Sequence, residues 1–327
     1  MTIINSVTQN TLIRSSVSDV SSEMGELQRQ ISTGMKAERF GEHGLSTSRS
    51  ILSLRGEAMR IEEYQHTIDI LDMRASRVDQ SLLKIREDSL GVRDTGMLFS
   101  TDQVRPDQIQ DQARGAFYSA VDQLNAQIAG HHVFGGVNSG VAPVRLAHDM
   151  QADVEAAMAA AVPPDDPTAV LTAVRDYFND PTNWYQGGAL PGEISISDNR
   201  EVQQITTAAD PAIVDTLASL ATIAFADDAV FTDENYAQLI IDSSSVLSDA
   251  SEDMNGLSAR NGSLLAQLES QKQSHENIRL LGETELNTLE QVDISEAVTR
   301  LSQLEVQLEA TFRVTGQLQN LTLANFI

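Results

Sequence analysis

Apolar residues recur along this chain in long, strictly spaced stripes at both ends and lose that spacing in the middle. Near the start, Ile13, Val17, Val20, Met24, Leu27 and Ile31 are separated alternately by four and three residues. That average of about 3.5 is the period of a helix packing on another helix along a single seam. The spacing returns for longer in Ile61, Tyr64, Ile68, Leu71, Ala75, Val78, Leu82, Ile85, Ser89, Val92, Gly96 and Phe99. It predicts a helix over 57–99, roughly 65 Å long at about 1.5 Å per residue. Thr101, Asp102 and Pro106 break it, and Ile109, Ala113, Phe117, Ala120, Leu124 and Ile128 mark a helix returning antiparallel to the first. Towards the other end, Leu257, Leu264, Leu268, Ile278, Leu281 and Leu289 mark another long helix, with polar gaps at Asn261, Gln271 and His275. Ala297, Leu301, Leu304, Leu308, Thr311, Thr315, Leu318 and Thr322 then restore the four–three rhythm. One such stripe alone reads as a core-facing helix. A strict period in both terminal segments favours helix pairing instead. The two ends are expected to pair with each other, with copies of themselves, or both.

The middle reads differently. Gly130 to Gly140, a run rich in glycine with His131 and His132, ends the returning helix and supplies turns. Strands are expected at 141–146, 193–197 and 201–206, the last two joined by a turn at Asp198-Asn199, and helices at 149–161, 167–178 and 211–225. Seven of the eight prolines fall between 136 and 256. The expected fold class is mainly α: a long antiparallel, coiled-coil helical bundle built from both chain ends, with a small inserted α+β domain. The expected division is 1–45 with 291–327 as a terminal coiled-coil domain, 46–135 with 236–290 as a long-helix bundle, and 136–235 as a central domain.

Charge sharpens that division. The 327 residues carry 47 acids against 22 bases, a net charge of −25. Residues 1–60 are near neutral, with seven bases and six acids, whereas 136–256 hold three bases and twenty acids. Binding to nucleic acid or to an anionic membrane is disfavoured by so negative a field. No apolar run approaches the roughly 20 residues that span a bilayer, and the first residues lack the basic start and apolar core of a secretory signal. Cysteine is absent, which removes disulfides, thiolate metal sites and thiol nucleophiles together.

No catalytic, cofactor-binding or metal-ligating residues are expected. The pair His131-His132 has no Asp, Glu or His three or four residues away, so exposed imidazoles at a helix end are the simpler reading. Asp165-Asp166 and Asp227-Asp228 read as solvated turns rather than acid–base pairs. No phosphate-cradling glycine loop or Gly-x-Ser-x-Gly occurs. The chain is not expected to be an enzyme.

Four passages carry a resemblance. Residues 24–35, Met-Gly-Glu-Leu-Gln-Arg-Gln-Ile-Ser-Thr-Gly-Met, are similar to the pattern that closes the first helix of flagellins. The heptad helix over 60–99 with its partner, leaving at His132-Val133-Phe134-Gly135-Gly136, and the segment Gln291-Val292-Asp293-Ile294-Ser295-Glu296-Ala297 fit the same pattern. The ending, Leu318 to Ile327, resembles junction proteins more than flagellins, and Asn183-Trp184-Tyr185-Gln186-Gly187-Gly188 adds an echo in the centre. Together they resemble the flagellin superfamily and, within it, the hook-associated protein 3 family at the hook–filament junction. One departure is Phe40-Gly41-Glu42-His43-Gly44-Leu45, where the family usually has Asp-Asp-Pro-Ala.

The resemblance implies a structural part of the bacterial flagellum that joins hook to filament by self-assembly. Flagellin is the near alternative and a cytoplasmic coiled-coil scaffold the remote one. It implies terminal helices lining an inner tube, so that Ile13, Val17, Val20, Met24, Leu27, Ile31, Leu301, Leu304, Leu308 and Leu318 form an assembly seam, with the acidic domain facing outward. It implies partners: copies of the chain, a neighbouring hook-associated protein, flagellin, and an export chaperone on the C-terminal segment, but neither nucleic acid nor membrane. It implies an extracellular location reached by the flagellar type III pathway without a cleaved signal. An outward acidic domain is further expected to be dispensable, so that a Gly/Ser linker in place of 140–232 leaves junction formation intact.

Overall fold

The computed structural model describes residues 2–37, 41, 44–99 and 105–324, with side chains described between 11 and 317. The expected break at Thr101-Asp102 lies outside the described residues. The protein is mainly α, with long helices from both chain ends and a small inserted α+β region. It divides into two compact units: Met1–Glu62 with His275–Ile327, and Glu63–Ser274. Two long helices, α2 (Leu45–Phe99) and α7 (Asp233–Glu290), contribute to both.

In the unit Glu63–Ser274, the stripe expected on α2 is the stripe that is buried: Ile68, Leu71, Ala75, Val78, Leu82, Ile85 and Val92 all point inward. Ser89 joins them by donating its hydroxyl to the Ile85 carbonyl at 2.7 Å. Antiparallel α7 lies against α2, as Asn261 Nδ2 donating to Ala75 O at 2.7 Å and Lys272 Nζ to Asp69 at 2.6 Å record. The stripe on α7 differs from the sequence pattern. It passes through the polar gaps, burying Asn261 and His275 with Leu257, Leu264 and Leu268, and leaves Ile278 and Leu281 at 41% and 71% exposure. Helix geometry keeps one face inward whatever residues occupy it, and a buried Asn is tolerated once its amide is bonded.

Helix α3 (Pro106–Leu124) starts on Pro106, whose fixed φ suits a first helical turn. It stops at Leu124, short of Ile128, because the chain turns into a hairpin of β1 (Gln127–Ile128) and β2 (His131–His132). Ala129 and Gly130 make its two-residue loop with φ of +50° and +81°, the left-handed pair that such tight hairpins require. His131 and His132 therefore lie on a strand rather than at a helix end. His131 is exposed, but His132 is buried between the Gln127 side chain and the Asn125 carbonyl, each at 2.8 Å.

Three helices complete the inserted region: α4 (Ala147–Ala159), α5 (Pro167–Asn179) and α6 (Pro211–Phe225). The starts of α5 and α6 are capped by Asp166 and Asp210, which accept from Thr168 N and Ala212 N. Helix α6 is apolar nearly all round and packs between α3 and α5, as a helix without a polar face must. Strands β3 (Ile194–Ser197) and β4 (Arg200–Val202) pair across the expected turn. Their Ile196 and Val202 pack with Ile68, Leu71, Ala75, Leu264 and Leu268 on the long helices. The strand expected over 141–146 does not form. Only an isolated antiparallel bridge of Val144 with Tyr185 forms there, through Arg145 N–H to Trp184 O at 3.0 Å and Gln186 N–H to Pro143 O at 2.7 Å. The Asn125 side chain takes Val144's own backbone groups, accepting from N at 3.0 Å and donating to O at 2.9 Å.

One cluster runs from Val78 on α2 through α3–α6 to Leu257 on α7. Phe117 sits in it edge-on to Phe178 and Phe225, with ring centroids 6.3 and 5.5 Å apart. Excising 140–232, the stretch expected to be dispensable for junction formation, would remove α4–α6 and leave Phe117, Ala113 and Leu124, none of them exposed, facing water. The linker chain is expected to lose this unit's cooperative unfolding. Phe117→Ala is expected to cost about 3–5 kcal/mol through lost transfer energy and the cavity left behind. Denaturant unfolding of the full chain checks both, and a midpoint within error of wild type in either variant contradicts the shared core.

Candidate assembly interface

Helices α1 (Thr2–Thr33) and α8 (Ile294–Ala324) pack against each other in the unit formed by the two chain ends. On α1 all six expected seam residues are shielded: Val20 is buried, and Ile13, Val17, Met24, Leu27 and Ile31 are half-buried, as are Arg29 and Gln30 beside Ile31. On α8, Leu304 is 2% exposed and Leu301 and Leu308 are half-buried. The Leu318 side chain lies outside the described residues. The seam is therefore occupied within one chain, and Arg300 to Glu23 at 3.1 Å bridges its edge.

Where α1 ends and α8 begins, two of the passages read from the sequence meet. Gly34 stops α1 with φ +72° and donates its N–H to Gln30 O at 2.8 Å, the left-handed C-terminal stop that glycine adopts without strain. The chain beyond it pairs with the linker leaving α7. Met35 and Gln291 form an antiparallel bridge, with Lys36 N–H to Glu290 O at 2.8 Å and Val292 N–H to Gly34 O at 3.0 Å. Gln30 Nε2 closes the loop onto Lys36 O at 2.9 Å.

Side chains then tie the ends of three helices to this short ladder. Lys36 Nζ donates to the Thr288 carbonyl at 2.5 Å in the last turn of α7, where unsatisfied carbonyls favour a cation. Arg55 on α2 reaches Glu290 at 2.7 Å. Asp293 caps α8, its carboxylate accepting from Ser295 N at 2.8 Å and Glu296 N at 3.1 Å. Val292 before that cap and Ala297 after it, with Leu27, line a groove of about 790 Å³ edged by Lys36, Glu296 and Arg300.

Of these residues, Asp293 with Glu296 three places on was readable as a helix start. Lys36, Arg55 and Glu290 were not, because each finds its partner across 235 residues or more. This meeting of helix ends, the neck, is held among the described residues by backbone pairing, helix capping and ion pairs. Among the described residues no group of three His, Cys, Asp or Glu could hold a metal, and no helix is long and apolar enough to cross a membrane.

Solved structures are similar to this chain in fold. A flagellar hook-associated protein of Vibrio parahaemolyticus superposes with a TM-score of 0.52, covering 74% of this chain and 96% of its own at 15% identity. The chain shares that fold. FlgL of Bacillus cereus covers 80% of this chain and 98% of its own at 12% identity, with a TM-score of 0.36. The fold assignment rests on the first. The sequence matches no protein-family model and no curated protein.

Two substitutions separate neck from seam. Asp293→Ala removes the α8 cap at a cost of about 1 kcal/mol and is expected to speed amide exchange in the first turns of α8. Leu304→Asp puts an unpaired carboxylate in the seam at several kcal/mol and is expected to open α1 and α8 together. Exchange mass spectrometry reads both, and unchanged protection in α1 of the Leu304→Asp chain contradicts the pairing.

Proposed function

We propose that this chain is a structural subunit of the bacterial flagellum that joins hook to filament by self-assembly through its terminal helices. The observation that carries the reading is the neck: the Ser-Thr-Gly stop of α1 and the Val-Asp-Ile-Ser-Glu-Ala start of α8 resemble one family's end motifs and pair backbone to backbone. A shared fold with a hook-associated protein supports it. The seam residues hold α1 to α8, and the outer faces of that pair meet copies of the chain. Residues 1–45 with 291–327 then form the inner tube, 46–135 with 236–290 the surrounding helical layer, and the acidic 136–235 the solvent-facing part.

The proposed mechanism is transmission of load. A hydrogen-bonded ladder with Lys36, Arg55 and Asp293 fastening three helix ends resists sliding of one helix past the next, because several bonds must lengthen together. A neighbouring hook-associated protein and flagellin are the proposed partners above and below. Export by the flagellar type III pathway, with a chaperone on the C-terminal segment, belongs to the same proposal. No catalysis is assigned.

Labelling the chain on intact flagella tests the reading. A single band between hook and filament is expected, with bare hooks after deletion of the gene. Label along the whole filament makes the chain a flagellin. Label only inside cells, with normal flagella after deletion, makes it a cytoplasmic scaffold.

A further inference from the structure

Within the unit formed by the chain ends, α2 buries Ile51 and Ile61 but presents a second apolar line to solvent. Leu45, Leu52 and Met59 recur every seven residues at 90%, 58% and 66% exposure. Arg49 and Gly56 fall between them, completing the four–three spacing of a helix-pairing seam. A side chain added at Gly56 would meet nothing within 4 Å, so that position faces open space. On α7 a second exposed line follows the same rhythm through Ile278, Leu281, Glu285 and Thr288. Among the described residues neither Arg49 nor Glu285 makes an ion pair.

The two lines are complementary when laid antiparallel. Arg49 then stands opposite Glu285, Leu52 opposite Leu281, and Gly56 leaves room for Ile278. The flanks agree in sign: apart from Arg55 and Glu290, which pair within the chain, residues 45–60 hold two arginines and one glutamate, whereas 276–290 hold three glutamates and one arginine. We propose that this α2 line of one copy docks on the α7 line of a second copy, with Arg49 and Glu285 paired across the contact. The proposed contact is head-to-tail, the α2 line of each copy meeting the α7 line of the next, so that it repeats into a ring or helix. The proposal rests on the reading of the chain as a self-assembling subunit and names the face that does it.

The absence of cysteine makes the test clean. The full chain carrying Leu52→Cys and Leu281→Cys together is oxidised on intact cells and, purified, at high concentration. A disulfide ladder of dimers, trimers and longer species is expected, with either single variant giving no ladder. Arg49→Glu or Glu285→Arg in that background is expected to cut the ladder about fivefold, as loss of an exposed pair worth about 1 kcal/mol would, and the two together to restore it. No ladder in either setting, or dimers from Leu52→Cys alone as abundant as from the pair, overturns the contact. Both positions are exposed, and circular dichroism confirms that the variants fold. The ladder reads the contact independently of where the chain resides, so a label absent from flagella refutes the flagellar reading without touching this result.

Discussion

A helix with one apolar stripe and no globular core beside it must find another helix, and that requirement organises this protein. Long isolated helices are marginal in water, because most of their stability comes from burying the stripe. Each long helix here meets the requirement against a partner distant in sequence: α1 against α8, and α2 against α7. The chain ends are thereby brought together in one unit.

The neck follows from the same constraint. Helices that pair by a seam can still slide along it, since apolar contacts are nearly indifferent to small shifts in register. Directional bonds remove that freedom. Gly34 stops α1 at a defined residue, Asp293 starts α8 at another, and the ladder between them fixes the offset of one against the other. Lys36 and Arg55 extend the clamp to the end of α7. Position along the helices is thus set by hydrogen bonds, while lateral cohesion is set by leucine, isoleucine and valine.

The acidic region uses a different economy. Its charge lies at the surface, while the interior around α6 is mainly apolar, with the buried Thr216 and Thr222 hydroxyls bonded to carbonyls of the same helix, and is continuous with α2, α3 and α7. A net-charge argument places such a region in solvent but says nothing about what it rests on. In this chain the two questions have opposite answers: the surface is solvated, and the underside is part of the main core.

Periodicity determined a great deal unaided. Heptad spacing identified α1, α2, α3 and α8 and named the inward residues of each, because that signal depends only on the 3.6-residue turn of the helix. The turn at Asp198-Asn199 placed the β3–β4 hairpin. The inward face of α7 was not legible, since Asn261 and His275 are polar and only a partner, such as the Ala75 carbonyl for Asn261, makes such residues stable inside. The same holds for segment 141–146, which keeps a single bridge, Val144 with Tyr185, to a partner about 40 residues on. The clamp at the neck belongs to this second class. A stripe is a property of one helix and can be read from one segment, whereas a bond between Lys36 and Thr288 exists only after the fold has closed a loop of 252 residues.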